Sequence, residues 1–169
     1  MGESPATSDP LTIVPANDAT REWVAAQMAD SEPWTTLGRS LDQCRRLLAR
    51  PGFLLYVALS GSQPLGFLYL HRYGLAGSPY VASIAVAEKA RGRGVGAQLM
   101  TFAEDLFRQE ARHLFLCVSS FNAGAQRFYE RLGYSAVGEL PDYIVKGASE
   151  IVMHKRLEGP DSQGAMPRG

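Results

Sequence analysis

Apolar and polar positions follow two periods along this chain, and their order outlines the elements. Leu11 to Val14 predicts a short strand. Pro15 closes it, and Asn17 or Asp18 caps a helix in which Trp23, Ala26 and Met28 make only a partial apolar stripe. Ser31 to Gly38 reads as a loop. Ser40 caps a second helix, Leu41 to Ala49, with Leu41, Cys44, Leu47 and Leu48 spaced for one buried face, and Pro51-Gly52 breaks it. Phe53 to Leu59 and Pro64 to His71 are strand runs around the turn Ser60-Gly61-Ser62-Gln63, which predicts an antiparallel hairpin. Pro79 to Val86 is a third apolar strand. From Val95 to about Ala111 the helical period returns, with Val95, Leu99, Phe102, Leu106 and Phe107 on one side. His113 to Val118 predicts a strand, Asn122 to Leu132 a helix, and Tyr134 to Gly138 and Glu150 to Leu157 the last two strands. This order of elements is that of a mixed α/β domain.

The segment Val86-Ala-Glu-Lys-Ala-Arg91-Gly92-Arg93-Gly94-Val95-Gly96 joins the third apolar strand to the longest helix. Glycines there let a ligand approach the backbone, and the first turn of a helix has amides without intrahelical partners. Those amides, the helix dipole and two arginines favour an anion, and a pyrophosphate fits the pattern. A plain solvated turn before a helix is the bland reading of the same residues. A phosphate loop of the P-loop kind needs Lys-Ser or Lys-Thr after the last glycine, where this chain has Ala97-Gln98. A dinucleotide fingerprint needs its first glycine at the strand end and a carboxylate closing the next strand. Here five residues separate Val86 from Gly92, and the next strand closes with Cys117-Val118-Ser119-Ser120.

Arg91, Gly94 and Gly96 form Arg-x-x-Gly-x-Gly, which resembles the coenzyme A motif of the GNAT acetyltransferase superfamily. A second segment strengthens the likeness: Asn122-Ala123 followed by Phe128-Tyr129-Glu130-Arg131-Leu132-Gly133-Tyr134 is similar to the superfamily's Asn, small residue, Phe-Tyr-x-x-Leu-Gly-Phe/Tyr pattern. The resemblance spans roughly Phe53 to Leu157. It implies one α/β domain over residues 11–157, with a mostly antiparallel mixed sheet flanked by helices and strands splayed at the coenzyme site. The segments 1–10 and 158–169, rich in Gly, Pro, Ser and charge, are expected to be disordered tails.

Composition narrows the partners. Lys+Arg and Asp+Glu balance at 17 each, so no overall field draws the protein to nucleic acid or membrane. A chain of 169 residues, 46% hydrophobic, suits one domain with a substantial core. Two cysteines, Cys44 and Cys117, form neither a C-x-x-C pair nor a metal cluster with the three histidines. Sparse cysteine, no apolar signal core and no membrane-length apolar run predict a cytoplasmic protein; a monomer or a homodimer is expected.

The resemblance implies that acetyl-CoA is the acetyl donor, with no metal. Its pyrophosphate would meet Arg91, Gly92, Arg93, Gly94, Val95 and Gly96, and its pantetheine arm the main chain of Ile84, Ala85 and Val86. Asn122 and Phe128 would add coenzyme contacts, Asn122 also serving as a helix cap. Tyr129 would protonate the departing thiolate; the plain reading is that it completes the apolar stripe of Ala125, Phe128 and Leu132. No base stands out. Where relatives that act on peptide N-termini place Glu or His, this chain has Cys117; Tyr80, Glu139, Asp142 and Glu150 are the other candidates, and a relay through water is the working expectation. On the acceptor side the loop carrying Trp34 and the segment Leu140-Pro141-Asp142-Tyr143-Ile144 are expected to contribute, with Trp34, Tyr80 and Tyr143 touching an amine and Asp30, Glu32, Glu139 and Asp142 as possible counter-charges. The Tyr143 segment resembles a hairpin of ribosomal-protein and peptide N-terminal acetyltransferases, which favours a peptide α-amine over a small amine. A coenzyme A-binding sensor domain without turnover is the rival function.

Overall fold

The computed structural model describes residues 9–32 and 34–159. The expected tails therefore lie outside the described residues apart from Asp9, Pro10, Glu158 and Gly159. Among the described residues, seven strands form one sheet in the order β1-β2-β3-β4-β5-β7-β6, with β1 Leu11–Pro15, β2 Phe53–Ser60, β3 Gln63–Leu75, β4 Ser78–Val86, β5 His113–Ser119, β6 Ser135–Pro141 and β7 Ser149–Arg156. Every neighbouring pair is antiparallel except β4 and β5, which run parallel.

Helices α1 (Asp18–Ala29) and α2 (Leu41–Leu48) cover one face; α3 (Val95–Phe107) and α4 (Ala123–Arg131) cover the other. Strand alternation sorts the side chains between them. Leu68, Leu70, Val81, Leu114, Leu116 and Met153 pack with Leu99, Met100, Ala103 and Phe107 of α3. Leu55, Val57, Phe67 and Tyr69 pack with Val24, Ala25 and Met28 of α1 and Cys44 and Leu48 of α2. Asn17 and Ser40 each close a capping box, with Thr20 and Gln43. At the far end of α2 the Tyr69 hydroxyl donates to the Leu47 carbonyl at 2.6 Å and Arg21 donates to that of Leu48 at 3.1 Å, so the helix is tied to both the sheet and α1.

Some boundaries differ from the sequence reading, for local reasons. β3 runs on to Leu75 because the β3–β4 hairpin turns at Ala76 and Gly77, whose φ values of 49° and 77° are both left-handed. A tight turn of this kind usually announces itself with Asn-Gly or Asp-Gly, and Ala-Gly does not. α3 ends at Phe107, short of Ala111, because the amides of Glu110 and Ala111 both donate to the Phe107 carbonyl. Between β4 and α3 a short 3-10 turn, Glu88–Ala90, sets the chain's direction into the glycine segment.

The parallel pair positions the site. β4 and β5 are in register only at Tyr80 with Phe115 and Val81 with Leu116. Just beyond, the β3–β4 register slips by one residue between Tyr69–Ser83 and Leu70–Val81, leaving Ala82 as a bulge in β4. A bulge bends its strand and adds twist. β4 therefore parts from β5, and from Ser83 to Val86 its outer backbone edge has no strand partner among the described residues.

Candidate active site

A cavity of about 870 Å³ opens where β4 leaves β5. Its walls include Ile84, Ala85 and Val86 of β4, Arg91, Gly92, Gly94, Val95 and Gly96 of the turn and α3, and Asn122, Phe128 and Tyr129 of the α4 segment. Two segments distant in sequence are thus brought together. Arg93 is exposed and lies off this wall, whereas Arg131, which the sequence reading did not single out, lies on it. The signal for Arg131 was its place one helical turn beyond Phe128 on the same face.

Gly94 is the N-cap of α3 at φ 78°, and Gly92 has φ 73°, conformations that cost other L-residues strain. No side chain caps α3 and its first turn holds no acidic residue, so its leading amides face the cavity without a built-in acceptor. A Cβ on Gly96 would come within 3.2 Å of the Phe128 ring, so glycine here lets α3 and α4 approach closely. The Asn122 side chain accepts from the Ala125 amide at 3.0 Å, which makes it the cap of α4 as well as part of the wall.

Tyr129 is 8% exposed and lines the cavity. Among the described residues nothing accepts from its hydroxyl, and burial alone pushes its pKa up to about 12. The phenol keeps its proton at neutral pH. It can donate, and it cannot serve as a base.

A second cavity, about 680 Å³, lies on the sheet face that carries α1 and α2. Trp34, Tyr80 and Tyr143 all line it, together with Tyr69, His71, Tyr73 and two arginines, Arg39 and Arg50, that the sequence reading passed over. Neither arginine lies in a motif; they flank α2, which Tyr69 ties to the sheet and Arg21 ties to α1. The four carboxylates expected here do not line it. Glu32 is occupied by Thr35 Oγ1, at 2.5 Å, and the Thr36 amide; Asp142 accepts from the Gly147 amide at 2.6 Å. Both hold their own loops in shape.

Behind Tyr80 sits a compact polar group. Burial, then the hydrogen bond to Cys117, then the charges around it, among them that of Glu150, raise the Tyr80 hydroxyl far above an ordinary phenol. Burial and the Glu150 charge raise the Cys117 thiol against the pull of that hydrogen bond. Neither is ionised at neutral pH. Glu150, 4% exposed, accepts from Ser119 Oγ at 2.5 Å, and the β5–β7 register sets it directly across from Ser119. Of the carboxylates considered from sequence, Glu150 is the buried one; Glu139 is exposed on the edge strand β6 and Asp142 is tied to its turn.

Among the described residues no group of three His, Cys, Asp or Glu could hold a metal ion, and no helix is long and apolar enough to cross a membrane.

Comparison with known proteins gives this geometry its context. Over 92 residues the chain is 33% identical to an uncharacterized N-acetyltransferase of Methanocaldococcus jannaschii, covering 53% of this chain and 58% of that protein. Over 59 residues it is 41% identical to streptothricin acetyltransferase of Streptomyces lavendulae, covering 34% of this chain and 31% of that protein. The matched stretches thus span about a third to three-fifths of these curated relatives. In fold it is similar to Arabidopsis thaliana NAA60, solved in complex with acetyl-CoA, with a TM-score of 0.72 at 15% identity over 88% of this chain and 99% of that one. The family profile described as acetyltransferase (GNAT) matches residues 17–134, from the cap of α1 through both walls of the larger cavity, and the chain belongs to that family of N-acetyltransferases.

Proposed function

We propose that this protein transfers an acetyl group from acetyl-CoA to a primary amine by direct attack within a ternary complex, with a peptide or protein N-terminus as the first acceptor to test. The observation that carries the reading is the two-residue pairing of β4 with β5. It leaves an unpaired strand edge beside a bare helix N-terminus on one side of the sheet and an aromatic cavity on the other. An elongated donor bearing amides and a pyrophosphate matches the first; an amine matches the second.

In this reading the amides of α3 and the Arg91 side chain hold the pyrophosphate. The backbone of Ile84, Ala85 and Val86 pairs with the pantetheine amides, leaving the thioester at the strand fork. The amine nitrogen attacks the thioester carbonyl, the tetrahedral intermediate collapses, and the C–S bond breaks toward Tyr129, whose hydroxyl donates to the departing sulfur. A thiol of ordinary pKa near 8.5 is a stronger acid than a phenol at about 12. Proton donation alone is therefore uphill and is coupled to loss of the proton that the attacking nitrogen sheds. Glu150 is the group we assign to take up that proton, through water ordered by Tyr80 and Ser119.

That solved relatives bind acetyl-CoA, as NAA60 does, supports the donor. A relative named for streptothricin keeps acceptors other than peptides in view. Calorimetric titration of acetyl-CoA, combined with thiol release across amines and peptides, tests the proposal. Binding followed by release is expected, and Arg91→Ala should weaken binding about tenfold. Binding with no release from any acceptor would instead identify a coenzyme A-sensing domain.

A further inference from the structure

The α1/α2-side cavity has a charge of its own. Arg39 and Arg50 line it, and a contiguous groove of about 320 Å³ shares both and adds Arg46 and Gln43. The two hollows therefore form one surface around α2 with three guanidinium groups. No carboxylate lines either.

The acids near by are committed elsewhere. Arg45 of the same helix takes both Glu22 and Asp42. Among the described residues no carboxylate pairs with Arg39, Arg46 or Arg50; the guanidinium of Arg39 lies over the Trp34 ring, 5.6 Å from its centroid. In a chain with no net charge, this surface is a local positive field. A guanidinium matches the planar oxygens of a carboxylate or phosphate two at a time, which a lysine cannot do. The same field opposes a polycation and favours the neutral form of a bound amine, the form that attacks.

We infer that the acceptor is a primary amine that also carries a carboxylate or phosphate, the anion seated on Arg39 and Arg50 and the amine directed toward Tyr80. This rests on the transferase reading above and excludes polyamines and aminoglycoside-like cations as good acceptors. The shared chemistry has two sources, an anionic small molecule or the N-terminus of an acidic peptide.

Thiol release from acetyl-CoA by the full chain tests it, with acceptors offered in matched pairs. The pairs are an amino acid against its amide, phosphoethanolamine against ethanolamine, and peptides with acidic against basic second and third residues. A polyamine is the cationic control. The anionic member of each active pair should show at least tenfold higher kcat/KM, an advantage that shrinks as salt is raised. Whichever pair gives the highest kcat/KM names the source. Arg39→Gln combined with Arg50→Gln, both on exposed positions, should erase the ratio while leaving KM for acetyl-CoA unchanged. Equal rates within pairs, a preference for the polyamine, or a ratio that survives the double substitution would each overturn the inference while the transferase reading stood. Absence of release from every acceptor would overturn both.

Discussion

At the scale of single residues, the proposed mechanism depends on two buried oxygen acids with opposite tasks. Tyr129 is held protonated by burial at a pKa of about 12, and Glu150 lies buried against Ser119 at 2.5 Å. Tyr129→Phe removes only the donor, so kcat should fall about 10²- to 10³-fold with acetyl-CoA affinity nearly unchanged. Equal losses in kcat and affinity would show that the ring merely packs. Because Tyr129 loses its proton only near pH 12, it contributes no descending limb to the rate profile at moderate pH. kcat/KM should rise as the acceptor amine deprotonates, through about pH 8 for an α-amine, and stay level to about pH 10. Glu150→Gln keeps a partner for Ser119 but cannot take a proton; a loss of about 10²-fold in kcat with normal acetyl-CoA binding is the expected result. A kcat within twofold of the parent would return the base to water alone.

Among elements, the bulge at Ala82 and the glycine entry to α3 act together. The bulge turns β4 out of the sheet, and Gly94 at φ 78° turns the chain into the helix so that its amides meet the opening. A Cβ at Gly94 meets nothing within 4 Å, so Gly94→Ala is strained through its backbone alone. It should cost about 1–2 kcal/mol in denaturant unfolding and weaken acetyl-CoA binding, since relief of the strain shifts the leading amides. A binding constant unchanged despite lost stability would show that those amides do not meet the ligand.

The whole molecule is joined across its α3/α4 layer by one buried carboxylate. Glu104 of α3 accepts from Lys155 of β7 at 2.8 Å and from the Tyr134 hydroxyl at 3.1 Å. Glu104→Ala leaves both donors without it; with Lys155 31% exposed, a loss of about 2–3 kcal/mol is expected in urea unfolding. Buried phenols set the alkaline limit. Tyr69 and Tyr129 are raised to about 12, and Tyr80 and Tyr134 also shift upward. Between pH 10 and 12 the unfolded chain loses these protons while the folded protein keeps them. Stability is intact below pH 10 and falls as pH rises, by about 1.4 kcal/mol per pH unit for each such tyrosine. Urea midpoints measured from pH 8 to 12 should show that slope, and a flat series would mean that the rings ionise freely in the folded state.

Local features were legible from the order of residues alone. Residues 3.6 or 2 apart along a chain must share a face, so Leu99, Phe107, Leu114 and Leu116 disclosed their elements. Arg91, Gly94, Gly96, Asn122 and Tyr129 disclosed a family through two short motifs. The remaining features depend on distance through space. Ala82 reads as an ordinary strand residue until its partners on β3 reveal the slipped register. Glu150 becomes distinct from Glu139 and Asp142 only once β7 lies beside β5 and buries it. Arg39 and Arg50 look like solvated charges flanking a helix until that helix docks on the sheet and they line one cavity with Trp34, Tyr80 and Tyr143. Periodicity fixes which way a side chain points from its own element; the packing of elements decides what it meets.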